Sequence, residues 1–206
     1  MNSLKIITNA RAWPIFSVQD CAKWFPDTRR SAILLGLNRY TASGLLIRLR
    51  RGLYLINQEP YPDSSVLASR LDTSAIVSLE TVLHRSGMIP EVPFATTLVT
   101  PAMTAQYHPA VGGAFHFRHM KKELFFGFSI EHHSPYAVRV ATPEKALLDL
   151  LWFHRFQRDR QAYIEGLRLD IPSTFSWKNF RLYAKLFNNR HLSELSKVVA
   201  HNFCNG

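Results

Sequence analysis

Long apolar runs and paired cysteines are both missing from this chain. No stretch reaches the roughly 18 consecutive apolar residues that a membrane helix needs, so no spanning segment is expected. The only cysteines, Cys21 and Cys204, lie near opposite ends of the sequence. A disulfide framework is therefore not expected, and two reduced thiols in a cytoplasmic protein is the simpler reading. The opening MNSLKIITNARAW has neither a continuous apolar core nor a small-residue cleavage site, which argues against secretion. The common catalytic signatures are missing too. Without GxGxxG, a P-loop or GxSxG, nothing points to a dinucleotide, a cradled phosphate or a nucleophile elbow. No Asp-x-Asp pair is present to hold two metal ions for nucleotidyl transfer. Neither catalysis nor a cofactor is expected.

Acidic side chains are also scarce, with 15 Asp and Glu against 25 Lys and Arg, and the excess of +10 is unevenly spread. Residues 1–56 hold nine basic side chains against Asp20 and Asp27, a net charge of +7. Residues 57–137 carry −2 and residues 138–206 carry +5. Phosphate neutralisation depends on local Lys and Arg density, so a basic N-terminal module points to DNA as the first partner to consider. With 206 residues and 47% hydrophobic content, the chain is long enough for a proper core and one or two domains.

The segment Thr28–Ile56, TRRSAILLGLNRYTASGLLIRLRRGLYLI, carries the sharpest pattern. Ile33, Leu34, Leu37 and Tyr40 recur at spacings of three and four, which predicts a helix that buries them and leaves Arg29, Arg30, Asn38 and Arg39 wet. Asp27 or Thr28 is placed to cap it, and Gly44 to end it. Leu45, Ile47, Leu49 and then Leu53, Leu55 alternate as two strands about a turn at Gly52, with Arg48 and Arg50 on the opposite face of the first. This reads as the recognition helix and wing of a winged helix-turn-helix. Thr28, Arg29, Arg30, Ser31 and Arg39 are the candidate DNA contacts on the helix, and Arg48, Arg50 and Arg51 those on the wing. An ordinary amphipathic helix followed by a hairpin with a solvated basic edge would share the pattern.

Before this segment, Ser3–Ala12 predicts a short helix, Ile15–Ser17 a small strand and Val18–Phe25 a helix capped by Ser17. NQEPYPDSS, residues 57–65, marks a domain boundary. Beyond it a short helix over Val66–Leu71 and a helix from Ser78, as cap, to Gly87 are expected. Strands are expected over Thr96–Thr100, Ala114–His119, Leu124–Glu131 and Tyr136–Ala141. Thr142-Pro143-Glu144 is the clearest helix start, running to about Phe156, and further helices are expected over Asp159–Leu167, Trp177–Phe187 (capped by Ser176) and His191–Phe203. The resulting fold class is α+β: a winged helix-turn-helix over residues 1–57, then an α+β domain over 66–206 with a small, mainly antiparallel sheet and C-terminal helices.

His116 and His119, with His132-His133, are the candidate metal ligands, but residues three apart on a strand point to opposite faces, so no metal site is expected. Glu80, Glu144 and Asp149 are expected to cap helices and form local ion pairs.

Three segments taken together resemble the AbiEi-type antitoxins, regulators of abortive-infection toxin–antitoxin pairs: GLL…RLRRGLY at 44–54, VSLETVLHRSGMIP at 77–90 and ATPEKALLDL at 141–150. The resemblance runs from the N-terminal module to about Leu151, and the tail after Phe156 has no counterpart in it. It implies a winged-helix domain that binds operator repeats in its own promoter and represses its own operon, and a C-terminal domain that antagonises a nucleotidyltransferase-like toxin. A solitary regulator without a toxin, or an antitoxin acting through protein contacts alone, would keep parts of the same pattern.

Overall fold

The computed structural model describes residues 2–204. The chain begins with three helices and three short strands, α1 (Ser3–Ala12), β1 (Ile15–Ser17), α2 (Val18–Trp24), α3 (Arg30–Ala42), β2 (Leu46–Arg50) and β3 (Leu53–Ile56). The strands form an antiparallel sheet in the order β1-β3-β2. Ser17 starts α2 with a reciprocal cap: its hydroxyl accepts from the Asp20 N–H while the Asp20 carboxylate accepts from the Ser17 N–H. Gly44 and Gly52, with φ of +74° and +80°, take the left-handed conformations that end α3 and turn the hairpin.

All four residues of β3 are buried, which the expected two-strand alternation does not explain. The sheet is covered on both sides. Tyr54 and Ile56 pack with Ile6, Phe16, Ile33 and Leu37 in an N-terminal core. Leu53 and Leu55, together with Ile15 and Leu49, join the larger core of the rest of the chain. Cys21 belongs to the first of these cores, and burial, reinforced by the neighbouring Asp20 charge, pushes its thiol up to about 12. It is a packing group that stays protonated.

Residues 57–63 lead without helix or strand into the second part. Its elements are α4 (Ser64–Leu71), β4 (Ile76–Val77), α5 (Glu80–Arg85), β5 (Ala95–Thr100), β6 (Ala105–Tyr107), β7 (Ala114–His119), β8 (Phe128–His133), β9 (Tyr136–Ala141), α6 (Pro143–Phe153), α7 (Arg160–Gly166), α8 (Trp177–Leu186) and α9 (Arg190–Phe203). The fold class is α+β. The six-stranded sheet, in the order β6-β7-β5-β4-β9-β8, is mixed: β4 runs parallel to β9 and β5 parallel to β7, while the other neighbours are antiparallel.

Two contacts place the layers. Thr100 of β5 donates to Asp72 at the end of α4, whereas Thr97 accepts from the Thr81 N–H of α5 at 3.1 Å. Residues three apart on a strand face opposite ways, so α4 covers one face of the sheet and α5 the other. α6 packs on α5, and α8 and α9 pack on α6. No helix among the described residues is long and apolar enough to cross a membrane.

Several local expectations change. β4 and β6 are too short for their alternation to show in sequence. Lys122–Leu124 is a 3-10 turn, and the strand expected from Leu124 begins only at Phe128. Ser78 does not cap α5. Leu79 occupies that position with φ +61° and no side-chain cap bond, because the Ser78 hydroxyl donates to Asp149 at 2.6 Å.

Candidate nucleic-acid interface

α3 buries Ile33, Gly36, Leu37 and Tyr40, and packs against α2 and β2. Leu34, expected inside, is 38% exposed, and its neighbour Leu35 is 73% exposed. The buried stripe is narrower than the spacing of apolar residues suggested, because Gly36 rather than Leu34 lies against the body. On the opposite face, Ser31, Leu35 and Asn38 follow at spacings of four and three and form one exposed row. Arg30 and Arg39, about two and a half turns apart, fall on opposite flanks of that row.

The candidate contact residues separate by position. Arg29, Arg30, Ser31 and Arg39 are exposed, whereas Thr28 is half-buried and its N–H donates to the Phe25 carbonyl at 3.1 Å. Neither Asp27 nor Thr28 caps α3. Arg29 holds the cap position and makes no side-chain cap bond, so the first-turn N–H groups of this 13-residue helix have no side-chain acceptor from the cap residue. The Arg39 guanidinium lies 5.1 Å from the Tyr40 ring centroid and donates to its hydroxyl at 3.3 Å, which holds it to its flank.

On the hairpin, Arg48, Arg50 and Arg51 are all exposed. Ile47 and Leu49 point to the larger core, as the alternation implies, but Leu45, expected with them, precedes the strand and packs with Leu46 against the N-terminal core. Arg48 therefore follows a covered position on its own face. A register shift between Arg48 and Arg50 interrupts the ladder. Beyond this bulge Arg50 comes near enough to Asp72 for its charge to favour the ionised carboxylate, so of the three hairpin arginines it is the one drawn toward the second part of the chain.

The histidines considered as metal ligands have separate surroundings. The His116 ring lies 6.4 Å from that of His108, and His119 Nδ1 is 2.8 Å from the Ala102 carbonyl. His133 Nε2 is 3.3 Å from Glu131, and His132 is exposed. Among the described residues no group of three or more His, Cys, Asp or Glu side chains is placed to hold a metal ion.

The acidic residues of α6 are buried. Asp149 and Lys145 pair one turn apart, wholly out of water, with Ser78 as a further donor to the carboxylate. Lys145 Nζ is also 5.1 Å from the ring centroids of Phe126 and Phe187. Burial pushes the Asp149 carboxyl up, against the opposing pull of Lys145 and Ser78. Glu144 accepts from the Ser176 N–H at 2.6 Å and so anchors the start of α8 to α6. This pattern ties helices to one another and to the sheet.

Sequence reasoning missed Leu35, whose exposure no hydropathy pattern reveals, and the junction formed by Trp13, Arg70 and Tyr136, which are far apart in the chain. Comparison with family models finds no matching family, and comparison with curated proteins finds no significant match.

Proposed function

We propose that residues 1–57 are a winged helix-turn-helix domain and that the protein is a sequence-specific DNA-binding regulator of its own promoter, acting as the antitoxin of a toxin–antitoxin pair. The observation that carries this reading is the exposed face of α3, a row of Ser31, Leu35 and Asn38 flanked by Arg30 and Arg39, beside a hairpin bearing Arg48 and Arg51. The order of elements supports it, with α2 and α3 joined by a tight turn and followed by a basic hairpin.

In this reading the row enters the major groove. Asn38 pairs with the Hoogsteen edge of adenine, Leu35 meets a thymine methyl and Ser31 bonds a base edge or phosphate. Arg29 and Arg30, with the uncapped N–H groups of α3, grip phosphate, and the hairpin arginines take backbone or minor groove.

The deciding experiment is a mobility-shift titration with the DNA upstream of the protein's own gene, against scrambled DNA, at two salt concentrations. A specific shift that survives moderate salt supports the reading. Equal binding to both DNAs that disappears with salt overturns it.

A second reading has one observation in its favour. The groove between α8 and α9, about 630 Å³, is lined by Arg181, Lys185, Arg190 and Lys197. That surface suits an acidic protein partner such as the implied toxin, and co-purification with the product of the neighbouring gene, lost on reversing these charges, tests it.

A further inference from the structure

Where the N-terminal helices meet the second part of the chain, two cavities open on either side of one pair of residues. Trp13 and Arg70 line both. The cavity on the N-terminal side, about 360 Å³, is walled by Phe16, Trp24, Asp20 and Lys23 as well. Trp24 is the half-buried aromatic face of this cavity, and the fully buried Phe16 backs it, with ring centroids 4.9 Å apart. On the far side, about 260 Å³ adjoins Tyr136.

Arg70 is the unusual member. Its guanidinium lies 5.4 Å from the Tyr136 ring centroid, and its Nε is buried with no hydrogen-bond partner among the described residues. The side chain as a whole is half-buried and lines both cavities, so a ligand carboxylate would meet its guanidinium group rather than the enclosed Nε. Two acceptors that line these cavities are already engaged. Asp20 accepts from the Ser17 N–H and hydroxyl at 2.8 and 2.7 Å, and the Tyr136 hydroxyl is used by the Ile15 backbone. Lys23 is exposed and adds a second positive charge, so Arg70 and Lys23 together outnumber the one carboxylate of Asp20 in the lining.

We propose that this junction is a binding site for a small planar aromatic carboxylate, its ring against Trp13 and Trp24 and its carboxylate on Arg70, with Lys23 contributing at the mouth. Its volume lies at the lower end of the roughly 300–1,000 Å³ typical of small-ligand sites, which fits a one- or two-ring acid. The occupant touches α2 on one side and α4 on the other. Because α2 packs on α3, occupancy sets the pose of the exposed row of α3; this effector role rests on the DNA reading above, whereas the binding itself does not.

The test is calorimetric titration of the full chain with benzoate, salicylate and 1-naphthoate, alongside the neutral 1-naphthalenemethanol. Saturable one-to-one binding of at least one acid is expected, with the alcohol about tenfold weaker or worse. Arg70→Gln should weaken the acid by about tenfold, and Lys178→Gln, outside the cavity, should not. If Arg70→Gln does not keep its fold by circular dichroism, Lys23→Glu takes its place with the same expectation, since that side chain is exposed. No saturable binding by any of the acids up to about 10 mM, or unchanged affinity in the folded variant, overturns the site. A mobility shift unaltered by saturating acid overturns the effector role alone.

Discussion

The Tyr136 hydroxyl accepts a hydrogen bond from the Ile15 N–H at 2.7 Å and donates one to the Ile15 carbonyl at 2.9 Å. The sheet register explains why both groups are available. Ile15 is opposite Leu55, and the flanking bonds from the Ile56 N–H to the Pro14 carbonyl and from the Val18 N–H to the Gly52 carbonyl make Ile15 a non-hydrogen-bonded position. Its N–H and C=O therefore point away from β3, off the edge of the sheet, where one phenol satisfies both. Burial pushes that phenol above its usual range, so it keeps the proton it donates.

Tyr136→Phe keeps the ring and removes both bonds, leaving two buried backbone groups unpaired. A loss of about 1–3 kcal/mol is expected, read as a lower urea midpoint. Unchanged stability would show that water replaces the hydroxyl at no cost.

The buried Lys145–Asp149 pair is expected to be costly to break and cheap to replace. Lys145→Met alone leaves a fully buried carboxyl without its counter-charge, which must stay ionised out of water or take up a proton, and should destabilise by about 3–5 kcal/mol, while Lys145→Met with Asp149→Leu should recover much of that loss. Urea denaturation of the two variants gives the comparison, and equal losses would contradict it.

Asp72 makes the stability depend on pH. Burial opposes its ionisation, but hydrogen bonds from Ser74 and Thr100 and the charge of Arg50 outweigh that effect, and the carboxyl sits below its usual value. A depressed folded pKa contributes stability above the unfolded value of about 4, lost as pH falls through the folded one. The urea midpoint of the wild-type protein should therefore drop below about pH 4, and Asp72→Asn should flatten that fall.

On the proposed DNA face, the residues differ in what their loss does. Asn38→Ala should cost about 1–3 kcal/mol on the preferred site and little on scrambled DNA. Arg29→Ala or Arg30→Ala should weaken specific binding by about 1–3 kcal/mol, and Arg51→Ala should lower the salt slope by about one. Quantitative mobility shifts over a salt series separate these effects; specific binding untouched by all of them would remove α3 from the interface.

Much of the chain was legible because its signals are local. Ser17 and Ser176 cap, Thr142-Pro143 opens α6, and Gly44 and Gly52 take left-handed turns where the sequence puts them. Misjudged positions answer to distant partners. Ser78 does not cap α5 because Asp149, far along the chain, takes its hydroxyl. The strand pattern of Leu53–Ile56 misleads because a second core covers the far side of that sheet.

By itself the sequence determined the helices, most of the strands, the α+β class and the concentration of positive charge in the first quarter, since caps, periodicity and composition are written within a few residues of each other. Tertiary structure alone decided the parallel pairings of β4 with β9 and β5 with β7, the exposure of Leu35, and the meeting of Trp13, Arg70 and Tyr136. Those depend on which long-range contacts bury most surface and leave fewest polar groups unpaired, a balance no short window of residues contains.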